Sequence, residues 1–138
     1  MTESEFQARV IKTLRGQYCK VIKFNEQYNI GIPDLMIWSP NHQAGLWMEL
    51  KVIKLPKMDK TPIKFGISGP QKTWLREWHG CPHRSMVLVG CLYEGKVGWF
   101  IIRTASEDIK VPGLDIEITR EEFISKLNFE KVSIDKLL

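Results

Sequence analysis

The sequence predicts an α/β or α+β domain built on one mixed β-sheet flanked by helices. Three observations predict it. Amphipathic helical stretches open the chain and recur over residues 68–80 and 119–127. Five short runs of β character lie between the first helix and the last. One of those runs, Ser85–Leu92, is apolar throughout, as strands in a sheet interior are. A chain of 138 residues with 43% hydrophobic content is the size of one domain and can fill one ordinary core. A single domain over residues 1–138 is therefore expected.

The elements follow in order. Residues 3–15 read as a helix. Thr2 and Glu5 have the spacing of a capping box, Phe6, Val10 and Leu14 repeat every four residues as one apolar stripe, and Gly16 ends it. Cys19–Phe24 is a short β-rich run, and Asn25–Ile30 is polar and reads as a loop. Asp34–Trp38 and Leu46–Val52 form a hairpin around the turn-rich segment 39–45. Residues 53–67 carry Pro56, Pro62 and Gly66 and read as irregular; so long a loop hints at function. Ser68 caps a second helix, with Pro70 in its first turn and Gly80 beyond its end, and Trp74, Leu75 and Trp78 form its apolar stripe. Ser85–Leu92 and Val97–Ile102 are strands joined by the turn Glu94-Gly95-Lys96. Thr104–Gly113 is loop-like, and Thr119–Leu127 is a further amphipathic helix. The tail 128–138 alternates apolar and polar residues, suited to pack as a strand or against a partner.

Bulk properties narrow the function. No apolar run approaches the ~20 residues that span a bilayer. The start, Met1-Thr2-Glu3-Ser4-Glu5, lacks a signal-peptide pattern, so a cytoplasmic protein is expected. Cys19, Cys81 and Cys91 are odd in number and without paired spacing, which suits reduced thiols. A zinc site on Cys81, His83 and Cys91 lacks the paired short spacings such sites use. Net charge is +4, which permits a polyanionic partner without demanding one.

The chemistry concentrates between Gly31 and Lys51. Gly31-Ile32-Pro33-Asp34 precedes the first strand of the hairpin, and Glu49-Leu50-Lys51 lies in the second. Glu49 and Lys51 are two apart, so a strand points both to one face. Folding back near His42 brings Asp34 opposite residue 49, 50 or 51. Two carboxylates in one small volume repel unless a cation neutralises them, and oxygen ligands suit a divalent metal.

This pattern resembles the PD-(D/E)XK nuclease superfamily. Pro33-Asp34 matches the first half of its motif and Glu49-Leu50-Lys51 the second. Gly-Ile-Pro-Asp, Glu-Leu-Lys and then Ser-Gly-Pro-Gln at residues 68–71 look like its VRR-NUC branch, which includes small stand-alone viral-type proteins similar in architecture to archaeal Holliday junction resolvases. The resemblance covers roughly residues 3–102, leaving 103–138 as a C-terminal extension. It implies a restriction-endonuclease-like αβββαβ core with a mixed sheet.

It also implies a magnesium- or manganese-dependent endonuclease acting on DNA, with branched forms such as four-way junctions as substrates and a homodimer as the acting form. Asp34 and Glu49 are then metal ligands, with the backbone carbonyl of Leu50 as a third. Lys51 cannot bind a metal while charged and instead orients or deprotonates the attacking water and offsets phosphate charge. The family often adds an acid from the first helix. Glu3, on the stripe of Phe6 and Val10, faces the sheet, and Glu5 is the alternative. Gln71 matches the helix glutamine and faces inward with Trp74 and Leu75. Some relatives carry a tyrosine four residues after this glutamine; here that place is Leu75, so no tyrosine role carries over.

Lys54, Lys57, Lys60 and Lys64 follow directly on the site. Such a run is a solvated loop by default, and its position makes it a candidate phosphate-contacting loop. Trp38, Trp47, Trp74, Trp78 and Trp99 fall inside elements, where core packing is the commoner use. Two other readings stay open: a non-catalytic DNA-binding module on the same fold, and an RNA nuclease. For a dimer, Phe123, Ile124, Leu127, Phe129, Val132, Ile134, Leu137 and Leu138 offer apolar surface, unless the tail covers its own sheet.

Overall fold

The computed structural model describes residues 1–24, 31–77, 83–103 and 118–138, with His83 described by its backbone alone. Helix α1 spans Glu3–Arg15 and opens with the expected reciprocal bonds: Glu5 N–H donates to the Thr2 hydroxyl, and Thr2 N–H to the Glu5 carboxylate. Strands β1 (Lys20–Lys23), β2 (Leu35–Ser39) and β3 (Ala44–Ile53) follow, then helix α2 (Gly69–Glu77). Strands β4 (His83–Tyr93) and β5 (Lys96–Arg103) complete a five-stranded sheet of order β1-β2-β3-β4-β5. Helices α3 (Arg120–Lys126) and α4 (Ile134–Leu137) close the chain. Among the described residues, β3 and β4 pair in parallel, across the connection that carries α2, and β1–β2, β2–β3 and β4–β5 pair antiparallel. The fold is thus α+β, with a mixed sheet and helices around an αβββαβ-like core.

Strand alternation divides the sheet into two faces. Leu35, Ile37, Leu46, Met48, Leu50, Met86 and Leu88 point to one, where Phe6, Val10, Ile11 and Leu14 of α1 seal them. Gly90 admits α1 to this face, since a Cβ there would lie 2.7 Å from the Phe6 ring. Val87, Val89, Cys91, Phe100 and Ile102 point to the other face, under Leu75 of α2 and Phe123 of α3. Once β3 ends at Ile53, residues 54–67 are irregular, in line with the loop expected over 53–67, yet the segment is anchored. Ile63 and Phe65 enter this second core, and Ile63 N–H donates to the Ile118 carbonyl at 2.9 Å.

The tail answers the choice left open by its alternation. It covers its own sheet. Val132, Ile134 and Leu137 are buried in the first core, and Phe123 in the second. Gln17 holds the tail by donating to the Val132 carbonyl and accepting from Ile134 N–H, both at 2.8 Å. Trp99 Nε1 donates to the Glu130 carbonyl at 2.7 Å. Of the eight apolar residues offered as dimer surface, Phe129 alone is strongly exposed, at 44%. The loop expectations at 25–30 and 104–113, and Trp78 of the α2 stripe, lie outside the described residues.

Candidate active site

The hairpin register decides where the acids meet. Leu35 pairs with Met48, so the same register carried one residue further sets Asp34 opposite Glu49, and two residues further sets Pro33 opposite Leu50. Directly opposed residues share a face, so both carboxylates lie on the α2 side of the sheet. Asp34 is fixed there by Leu50 N–H, which donates to its Oδ2 at 2.8 Å. On a strand, the N–H and C=O of one residue point to the same flank. The Leu50 carbonyl therefore turns toward the Asp34 side, where proline offers no N–H to pair with it.

Glu49 is the centre of the site. It is 3% exposed, although carboxylates are rarely buried without partners. Its Oε1 accepts from Gln71 Nε2 at 2.8 Å and lies 3.8 Å from Lys51 Nζ. Its Oε2 is buried with no hydrogen-bond partner. Burial pushes the Glu49 carboxyl up to about 8, helped by the charge of Asp34 beside it. The Lys51 ammonium pulls the other way, while the proton that the neutral form can share with Asp34 and the charge of Glu3 add to the rise. Two acids this close hold one proton between them or share a cation.

Gln71 reaches Glu49 because the start of α2 is locked. Gln71 N–H donates to the Ser68 hydroxyl at 3.3 Å, and Ser68 N–H donates to Gln71 Oε1 at 2.9 Å, forming a capping box with glutamine in the third position. The amide oxygen is thereby occupied, so the amide nitrogen must be the atom facing Glu49. Gly31 adds a second lock. Its φ is +94°, and a Cβ there would lie 2.6 Å from the Pro70 carbonyl oxygen. The Gly-Ile-Pro-Asp turn thus packs against the Ser-Gly-Pro-Gln cap. The first lock follows the cap expected at Ser68, with Gln71 completing it at the Ser-x-x-Gln spacing; the Gly31 lock was not read from the chain.

The remaining expected residues divide. Asp34, Glu49, Leu50, Lys51 and Gln71 converge. Glu3 acts on Glu49 at longer range, as the smallest of the influences on its carboxyl, and is exposed. The alternative, Glu5, is spent on the cap of α1. Lys54, Lys57, Lys60 and Lys64 are all exposed. Lys60 lies 3.4 Å from Glu121, and among the described residues no ion pair forms with the other three. Cys91, of the alternative zinc set, is buried with its thiol pushed up to about 11 by desolvation, a poor thiolate donor, and Cys81 lies outside the described residues.

Among the described residues, no three carboxylate, imidazole or thiolate groups come together as a metal-holding cluster. Two carboxylates and a carbonyl do gather, an all-oxygen set suited to a hard divalent cation. The orphaned Oε2 of Glu49 fits such an ion, because a buried carboxylate oxygen without a donor is costly unless a cation or proton meets it. No family model matches this chain, and no curated protein matches it either.

Proposed function

We propose that this chain is a metal-dependent endonuclease that hydrolyses phosphodiester bonds in DNA, selective for branched forms such as four-way junctions. One observation carries the reading: Asp34, Leu50, Lys51 and Gln71, from three separate segments, gather around the buried carboxylate of Glu49 in an arrangement suited to phosphodiester hydrolysis. Asp34, Glu49 and the Leu50 carbonyl would hold magnesium or manganese, with Glu3 on the flank. The chemistry such an ion supplies is charge stabilisation at the phosphate oxygens and acidification of the attacking water.

The chain's own residues do the rest. Lys51, partly exposed beside Glu49, presents its ammonium to the phosphate and orients the attacking water. Gln71 keeps one Glu49 oxygen engaged, so the other points to the place a cation would take. Leu50 N–H holds Asp34 against free rotation, which preserves the spacing of the two acids. The lysines of segment 53–67 contact the flanking phosphates.

A homodimer is proposed as the acting form, since twofold symmetry matches paired cuts in a four-way junction. The reading is tested by a cleavage panel of linear, nicked, flap, splayed and four-way DNA in manganese, with duplex RNA as competitor. Cleavage of the branched forms ahead of the linear one, lost in Asp34→Asn, is the expected result. An uncut panel would favour a DNA-binding module without catalysis.

A further inference from the structure

The lysine segment leaves the candidate site and returns to it. It starts where β3, the strand of Glu49 and Lys51, ends at Ile53, and it runs into Ser68, the cap that orients Gln71. Ile63 and Phe65 are buried in the second core, and Leu55 and Ile67 pack against it, which leaves Lys54 and Lys64 on the outside. The tip between these two arms, residues 58–61, has no apolar anchor of this kind. Thr61 N–H closes it on the Met58 carbonyl at 3.1 Å, yet Met58 is 72% exposed, and Asp59 and Lys60 are exposed as well.

Helix α3 supplies the hold that the tip lacks. Arg120 Nη1 donates to Asp59 Oδ1 at 2.8 Å, and Arg120 N–H donates to the Thr61 carbonyl at 3.1 Å. Glu121 N–H donates to the Asp59 carbonyl at 3.2 Å. Pro62 and Thr119 pair beside these bonds as one antiparallel rung. Among the described residues, every hydrogen bond that ties residues 58–61 to the rest of the fold ends on Arg120 or Glu121.

On electrostatic grounds alone Asp59 is out of place. It is the only acid in residues 54–67, set among Lys54, Lys57, Lys60 and Lys64. A lone acid on a surface that meets phosphates repels them, unless its charge is spent on holding the surface in shape. Gathered lysines also repel one another, and long side chains on a loose segment must be ordered when a ligand binds. A tip fixed beforehand removes part of that cost from the DNA complex.

We propose that Arg120 is a positioning residue for the DNA contact. By holding Asp59 and Thr61 it fixes the tip, with Lys57 and Lys60, at one offset from Glu49, so that these lysines meet phosphates of the strand lying in the site. The proposal rests on the nuclease reading for the site that the segment serves. It gives the C-terminal extension a part in substrate binding, beyond covering its own sheet.

The test is binding of a labelled blunt duplex by the full chain in EDTA, read by fluorescence anisotropy at fixed salt. No cleavage intervenes, so a chain that cuts nothing can still show the effect, and the cleavage panel judges the nuclease reading separately. Asp59→Ala removes a negative charge from a lysine-rich segment, so charge alone predicts tighter binding. The strap predicts the opposite: binding weaker by roughly two- to tenfold, the cost of ordering one long side chain. Arg120→Pro cuts the strap from the other side, removing both the guanidinium and the N–H that reaches Thr61. Thr119, at φ −76° and ψ 161°, already has the extended backbone that precedes a proline, and the first helical position tolerates one, so α3 is kept. Its binding should fall at least as far. Arg120→Lys keeps the charge, the N–H and a donor for the single contact with Asp59, and it should bind nearly as wild type does. Circular dichroism melts report whether each variant folds, and Asp59→Ala, at an exposed position, decides the matter alone if Arg120→Pro does not. An Asp59→Ala chain that binds the duplex as tightly as wild type, or more tightly, would overturn the proposal. So would a wild type that binds no duplex.

Discussion

Gln71 donates its amide nitrogen to Glu49 at 2.8 Å while its own amide oxygen is held by Ser68 N–H at 2.9 Å. The pair is therefore oriented in one sense only, and the glutamine acts as a donor to a carboxylate that lies between the charges of Asp34 and Lys51.

Reversing that sense should be costly. Gln71→Glu replaces the donor with a third carboxylate, raising the Glu49 carboxyl further and disordering the acid pair. Hydrogen bonds to charged groups are worth about 1.5–3 kcal/mol, so cleavage in Gln71→Met should fall roughly ten- to hundredfold, at about 1.4 kcal/mol per decade, and in Gln71→Glu further still. Single-turnover cleavage at saturating manganese measures this. Wild-type rates in Gln71→Met would deny the amide any part in positioning Glu49.

Stability should depend on pH through Glu49. Its carboxyl sits near 8 in the folded chain against an ordinary 4.5, so the folded state binds the extra proton between those values. Stability is then fully present below about 4.5 and falls as pH rises through about 8, a loss on the order of a few kcal/mol in the metal-free protein. Glu49→Gln should flatten that slope. Magnesium should raise the melting temperature more at pH 8.5 than at pH 6, where the proton competes, and EDTA should abolish the gain. Thermal melts across pH, with and without magnesium, decide it; parallel slopes for wild type and Glu49→Gln would contradict the assignment.

The lysine segment should govern affinity rather than chemistry. Changing Lys54, Lys57 and Lys64 to Gln should flatten the salt dependence of duplex binding, by up to about 0.9 in log–log slope for each phosphate no longer neutralised. Lys60 should behave like the others, since its contact with Glu121 is solvent-exposed and worth at most about 1 kcal/mol. Binding isotherms over a salt series report the slope, and an unchanged slope in the triple variant would leave the segment merely solvated.

Gly31 should be intolerant of a side chain. Gly31→Ala places a Cβ 2.6 Å from the Pro70 carbonyl oxygen at a φ of +94°. The turn or the cap of α2 must then move, costing about 1–3 kcal/mol and separating Gln71 from Glu49. Denaturant melts and cleavage rates should both fall, whereas Gly66→Ala, strained by its φ of +69° but with open space around its Cβ, should lose stability alone.

Much of this was legible in the chain because it is local. The cap of α1, the alternation of β2 and β3 and the all-apolar β4 are set by neighbours in sequence, and the hairpin turn alone brings Asp34 to Glu49. Gln71 could be placed facing inward from helix spacing, but its bond to Glu49 crosses from one element to another. The Gly31–Pro70 contact joins residues 39 apart in sequence, and no local pattern foretells it. The tail stayed open for the same reason: its alternation shows that one side is apolar and says nothing of which surface receives it. Trp38 lies in a strand interior yet is 38% exposed, since burial of a strand residue depends on what packs over its face rather than on its place in the strand.

Cleavage of splayed and four-way DNA in manganese by wild type and Asp34→Asn tests the central claim most directly. The substituted amide keeps an oxygen for Leu50 N–H while removing the charge that a cation needs, so circular dichroism melts of the metal-free variant should match or exceed wild type. The account predicts cleavage by wild type and at least a hundredfold loss in Asp34→Asn. A wild type that leaves every branched form intact, or an Asp34→Asn that keeps more than about a tenth of the rate, within ~1.4 kcal/mol of barrier, would contradict it.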